Sequence, residues 1–171
     1  MADPRTLVLL RHAKSSWDTN EPDHERPLAP RGRRDARAVG RYLADQGLRP
    51  DVVLCSTALR TRQTWDQAVK GGAEAGEVRY LDEAYDASVT ELVGVLRDAP
   101  TEAMSVLLLG HAPGIPRLMD YLAIRRSDSA VWERAEQDFP TSALAVLTLD
   151  APWSDVGEAA AELSDFEVPR G

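Results

Sequence analysis

Apolar residues along the chain alternate between two rhythms. Thr6 to Leu10 is a short, nearly unbroken apolar run that stops at Arg11 and His12. It is too short for a helix and reads as a buried strand. A polar stretch, Ser15 to Ala29, leads to Pro30, after which Ala36, Val39, Gly40 and Leu43 recur at helical spacing with arginines on the other face. This predicts an amphipathic helix opened by proline and ended near Gly47. The pattern then repeats: Val52 to Cys55 reads as a strand, Ser56 as a helix N-cap, and Ala58, Thr61, Trp65, Ala68 and Val69 as the buried stripe of a helix running to Gly71-Gly72.

A brief strand is expected at Val78 to Leu81. Ser88 and Glu91 have the spacing of a capping box ahead of a helix carrying Leu92, Val93 and Leu96 and stopped by Pro100. Met104 to Leu109 is a second strongly apolar strand, broken at Gly110 and His111 before a short helix through Leu122. Arg125 to Asp138 is charged and aperiodic and reads as a surface loop or short helix. Thr141 to Leu149 alternates as a strand, and Glu162 to Val168 fits an edge strand. Alternating strands and helices predict an α/β fold, a three-layer α/β/α sandwich with a mainly parallel central sheet.

With 171 residues and 43% hydrophobic content, the chain is sized for one domain over 1–171. A formal charge of -8 argues against a nucleic-acid or anionic-membrane surface, both of which need a basic face. The only cysteine, Cys55, sits in strand-like sequence and reads as core. Neither a leader pattern nor a membrane-length apolar stretch is present, so the expected location is cytoplasmic. Oligomeric state is not addressed by any of these features.

Candidate chemistry gathers at the strand ends. The chain has three histidines, and two of them, His12 and His111, follow the best buried strands. In an open α/β sheet, ligands bind beyond the carboxyl ends of the strands. Arg60, on the first turn of the helix after the second strand, allows two arginines and two histidines to converge. Guanidinium groups suit bidentate contact with phosphate oxygens, which points to an oxyanion pocket. Neither histidine has the spacing of a zinc motif, and no metal is expected. Arg62 and the arginines of the first helix, Arg31, Arg33, Arg34, Arg37 and Arg41, read as solvated faces. His24 reads as a surface residue.

Arg11-His12-Ala13 after a strand, Ser56 to Arg60 followed by Gln63-Thr64, and Gly110-His111 after another strand together resemble the histidine phosphatase superfamily. Within it, Arg11 to Trp17, Arg26-Pro27-Leu28 with Arg31-Gly32, Gly110 to Gly114, and Phe139-Pro140-Thr141 are most similar to the short SixA-type phosphohistidine phosphatases. The resemblance implies the histidine phosphatase and phosphoglycerate mutase-like fold. It also implies a two-step transfer without metal or other cofactor, in which His12 attacks phosphorus and water releases phosphate. Arg11, Arg60 and His111 would bind the phosphoryl oxygens. The same resemblance offers Glu83 as a proton donor with Asp86 as the alternative, and Arg26 as a substrate-binding residue. The implied partner is a phosphorylated protein or a small phosphomonoester.

The chain departs from the family in three ways. Asp18 stands where mutase-like members carry asparagine, the pattern that follows the acid in mutases is missing after Glu83, and little chain is left for a lid. The missing lid favours a phosphate presented on a protein. The alternatives are a small-molecule phosphomonoesterase or mutase, and a phosphate-binding module without turnover.

Overall fold

The computed structural model describes residues 3–126 and 129–171. One six-stranded sheet runs through the molecule, built from β1 (Arg5–Arg11), β2 (Val52–Ser56), β3 (Glu77–Leu81), β4 (Ser105–Gly110), β5 (Leu144–Leu149) and β6 (Ala161–Glu167), in the order β3-β2-β4-β1-β5-β6. β3, β2, β4 and β1 are parallel neighbours, whereas β5 pairs antiparallel with β1 and with β6. The helices are α1 (Pro30–Asp45), α2 (Leu59–Gly71), α3 (Val89–Arg97), α4 (Gly114–Leu122) and α5 (Ala130–Gln137).

The two-residue period of β1 sorts its side chains between two cores. Val8 and Leu10 join Val39 and Leu43 of α1 and Trp65 of α2, while Leu7 and Leu9 join Leu96 of α3 and Leu118 of α4 on the other face. Both faces of the central strands are therefore covered. This explains why β1, β2 and β4 read as continuous apolar runs, and each fully buried leucine contributes about 1.5–3 kcal/mol.

Two of the predicted boundaries move. Ser56 does not cap α2: the N-cap is Ala58, which has no side-chain cap, and Ser56 Oγ accepts from the Ala58 amide at 3.2 Å from inside the strand end. The expected strand over Thr141–Leu149 begins only at Leu144, and most of its residues are buried rather than alternating, because β5 lies between β1 and β6 instead of at an edge. Ser88 and Glu91 form the reciprocal capping box. Within the expected loop or short helix of Arg125–Asp138, α5 begins after Ser129, whose hydroxyl accepts from the Trp132 amide; Ser127 and Asp128 lie outside the described residues. Cys55 is buried, and burial pushes its thiol up to about 12, in keeping with a core role.

Two glycines let backbones meet behind the parallel strand ends. A Cβ on Gly32 would come within 2.0 Å of the Lys14 carbonyl, and one on Gly40 within 1.9 Å of the Ala68 carbonyl. The first contact seats the chain leaving β1 on the amino-terminal turn of α1, and the second locks α1 to α2.

Candidate active site

β1 and β4 are in register at Arg11 and Gly110, so the residues that follow them, His12 and His111, emerge side by side. Their ring centroids are 5.3 Å apart. The His12 backbone is pinned on both sides: its amide donates to the Gly110 carbonyl at 3.0 Å and its carbonyl accepts from the Ser142 amide at 3.1 Å. The next amide, of Ala13, donates to Thr64 Oγ1 of α2 at 3.0 Å.

The His12 side chain is 7% exposed. Its Nδ1 lies 2.7 Å from the Ala13 carbonyl, and because a carbonyl can only accept, Nδ1 carries the hydrogen and Nε2 holds the lone pair. Burial, reinforced by the nearby His111, Arg60 and Arg11, lowers its pKa to about 3. The ring is thus neutral, with a free nucleophilic nitrogen, at physiological pH.

His111 is held the opposite way. Its Nε2 lies 2.8 Å from Ser56 Oγ, which already accepts from the Ala58 amide. Nε2 and the Ser56 hydroxyl share one hydrogen; with Ser56 as its donor the hydrogen of His111 lies on Nδ1, a buried atom without a partner among the described residues. Burial, with Arg60 next, lowers the His111 pKa to about 4.

The two arginines share one arrangement. Arg11 Nη1 donates to the Phe139 carbonyl at 2.9 Å, and Arg60 Nη1 donates to the Asp23 carbonyl at 2.7 Å. In both, the buried Nε has no partner. Each guanidinium is therefore anchored through Nη1 while its Nε donor is unused. Burial lowers the Arg11 pKa, with the Asp138 carboxylate opposing that shift. Three unpartnered buried nitrogens, Arg11 Nε, Arg60 Nε and His111 Nδ1, belong to the three residues whose nearness helps lower the His12 pKa. Buried donors without partners are costly, and an anion with several acceptor oxygens would satisfy such a set.

A cavity of about 210 Å³ is lined by Asp23, Arg60, Tyr85, Asp86, His111 and Pro113, among others. Arg11 lines the neighbouring groove of about 560 Å³, which shares Ala112 and Pro113 with the first. The carboxyl groups offered as proton donors are separated by the fold. Glu83 lies on the 3-10 turn Asp82–Ala84 and lines a different cavity with Leu54, Arg79 and Glu91, whereas Asp86 lines the cavity of Arg60 and His111. Asp18 is exposed and its amide donates to Ser16 Oγ.

Arg26 is buried and ties the loop together: Nη1 donates to Ser15 Oγ at 2.9 Å and to the Ser16 carbonyl at 3.0 Å, Nε donates to Asp23 Oδ1 at 3.2 Å, and its guanidinium stacks on exposed Trp17. These contacts hold the pocket rim. Arg31, Arg34, Arg37 and Arg41 are exposed, as a solvated helix face requires; Arg33 is half-buried and Arg62 donates to the Thr57 carbonyl. His24 contacts Glu25 and Thr57 and packs edge-on against Tyr85.

Sequence reasoning missed Asp23, Tyr85 and the role of Ser56. Asp23 Oδ2 accepts from Arg60 Nη2 at 3.1 Å and from the Tyr85 hydroxyl at 2.5 Å. The Tyr85 bond, opposed in part by desolvation and aided by Arg60 and Arg26, lowers the Asp23 carboxyl to about 2. The partners come from three distant stretches of chain, and the only local signal is that Asp23 lies three residues before Arg26.

The family model for the histidine phosphatase superfamily (branch 1) matches residues 7–104. An uncharacterized protein of Mycobacterium tuberculosis is 40% identical over 162 residues, covering 94% of this chain and all of that protein. Among solved structures, a provisionally named phosphohistidine phosphatase SixA from Nakamurella multipartitia superposes with a TM-score of 0.86 at 37% identity, covering 98% of each chain. A similarly named SixA from Agrobacterium tumefaciens gives 0.77 at 32% identity, covering 97% of this chain and 99% of that one. The paired strand ends carrying Arg11-His12 and Gly110-His111 thus sit in a fold and sequence pattern, shared with these SixA structures, that place this chain in the histidine phosphatase superfamily.

Proposed function

We propose that the chain is a phosphatase that hydrolyses phosphohistidine on a protein, or a similarly exposed phosphomonoester, through a phosphohistidine intermediate on His12, and that 1–171 acts as one domain. The observation that carries this reading is the opposed hydrogen bonding at the pocket: His12 keeps a free Nε2 lone pair while Arg11 Nε, Arg60 Nε and His111 Nδ1 are buried donors without partners. The names given to the two SixA structures support the same reading.

In the first step His12 Nε2 attacks phosphorus in line as the bond to the leaving group breaks. Arg11, Arg60 and His111 donate to the non-bridging oxygens, where charge stabilisation and positioning supply most of the rate. Nδ1 keeps its hydrogen on the Ala13 carbonyl throughout, so the intermediate is a phosphorylated imidazolium and expels neutral imidazole when water attacks in the second step. The water proton passes to a phosphate oxygen. A phosphohistidine substrate protonated on its second ring nitrogen also leaves as neutral imidazole and needs no carboxylic acid. Glu83 is left without a role in this scheme. Arg26 acts on the substrate only through the loop it holds.

Rapid quenching with a phosphohistidine-bearing protein in the presence of a chelator is expected to trap acid-labile phosphate on His12. Full turnover by His12→Ala, or activity that requires an added divalent metal, overturns the mechanism.

A further inference from the structure

The cavity beside His111 is lined by Arg60 and His111 together with two carboxylates and a phenol, Asp23, Asp86 and Tyr85. Asp86 has no ion pair among the described residues, and the carboxylate of Asp23 faces the same space while bound to Arg60, Arg26 and Tyr85. The Tyr85 ring is fixed between two imidazoles, edge-on to His24 at 4.7 Å and to His111 at 5.6 Å. Asp86 is held in the left-handed region, at φ 52°, between the 3-10 turn Asp82–Ala84 and the capping box that opens α3. This side of the pocket is therefore set by the backbone and by packing.

We propose that Asp23, Tyr85 and Asp86 form a wall that selects the leaving group, admitting phosphoryl compounds whose leaving group is neutral or positively charged and turning away those with a second anionic group close to the transferred phosphorus. The inference rests on the phosphatase reading above. A phosphoryl group held by the Arg60 guanidinium and the His111 ring projects its substituent along this wall. A carboxylate or second phosphate there meets like charge, with no cation among the cavity's lining residues beyond those already holding the phosphoryl oxygens. A protonated imidazole or an ammonium meets two carboxylates and an aromatic ring. Asp23 has a second task, since it grips Arg60 through Nη1 and Nη2 while Nε is left without a partner. Asp86 makes no such contact and reports on the wall alone.

The test uses three non-hydrolysable ligands with the same three-carbon chain, propylphosphonate, 3-aminopropylphosphonate and 3-phosphonopropionate, titrated calorimetrically into the full chain. Wild type is expected to bind the carboxylate-bearing ligand about ten-fold more weakly than propylphosphonate, and the amine at least as well as propylphosphonate, with the spread shrinking at high salt. Asp86→Asn, which the left-handed backbone tolerates, is expected to narrow the carboxylate penalty to about three-fold while leaving propylphosphonate binding unchanged. Asp23→Asn is expected to weaken all three ligands through Arg60. Equal binding of the three ligands by wild type, binding of none, or a penalty that Asp86→Asn leaves intact overturns the wall. A missing phosphoryl group on His12 overturns the phosphatase reading instead, and the two measurements are independent.

Discussion

The ends of β1 and β4 lie side by side in register, and each delivers a histidine into the same small volume, yet the two imidazoles are held by opposite nitrogens. At the end of β1, a backbone carbonyl fixes the hydrogen of His12 on Nδ1 and leaves Nε2 bare. At the end of β4, the Ser56 hydroxyl occupies Nε2 of His111 and leaves Nδ1 as the donor. Burial lowers both pKa values, to about 3 and about 4, so neither ring relies on positive charge at neutral pH. In the proposed reaction the difference is one of proton placement: one ring gives an electron pair to phosphorus and its neighbour, with Ser56 as donor, gives a hydrogen bond to oxygen. Equivalent strand positions acquire different chemistry from a single contact each.

The largest expected effect comes from removing the electron pair. His12→Ala should lose at least about 10³-fold in turnover and all acid-labile phosphoenzyme, because no other nucleophile replaces Nε2. Residual phosphoenzyme in that variant would dissolve the contrast between the two rings. His111→Ala should keep the phosphoenzyme but form it about 10²–10³-fold more slowly, the usual cost of deleting one donor to a developing oxyanion.

Ser56→Ala sharpens the comparison further. It leaves both rings in place but frees the tautomer of His111, so the expected loss is about ten-fold in kcat with little change in KM. Nitrogen NMR of the free protein should show His111 shifting toward a mixture of Nδ1–H and Nε2–H forms while His12 stays fixed. An unchanged His111 tautomer would mean that Ser56 does not set it.

The smallest effect concerns stability. Both histidines titrate lower in the folded state than the 6.5 expected when unfolded, so the unfolded chain binds more protons between about pH 6.5 and 4. Their contribution is complete above pH 6.5 and is lost as the pH falls through that window. Thermal unfolding is expected to show Tm falling by on the order of ten degrees from pH 7 to pH 4.5, with a shallower slope in His12→Asn. An identical slope in that variant would mean that His12 is not held neutral by burial.

Much of this arrangement was legible in the sequence because strand ends announce themselves. Leu7 to Leu10 and Met104 to Leu109 are apolar runs that break at a histidine, and Arg60 follows a third strand within a turn of helix. Ser56 fits a helix cap by residue type and position, but the N-cap of α2 lies two residues later, and the hydroxyl instead meets a histidine 55 residues away in sequence. Glu83 and Asp86, three residues apart, were not separable by sequence; the turn at Asp82–Ala84 sends them to different cavities.

The sequence by itself determined the parallel strands, the helices that cover them and the four residues Arg11, His12, Arg60 and His111 as a candidate set, because hydrophobic period and abrupt strand ends are local properties that burial enforces. Only the tertiary structure decided which nitrogen of each histidine is free, which arginine donors lack partners, and that Asp23 and Tyr85 join the pocket. Hydrogen-bond partners and desolvation are set by what packs across the sheet edge, and those neighbours come from stretches of chain that no local pattern links.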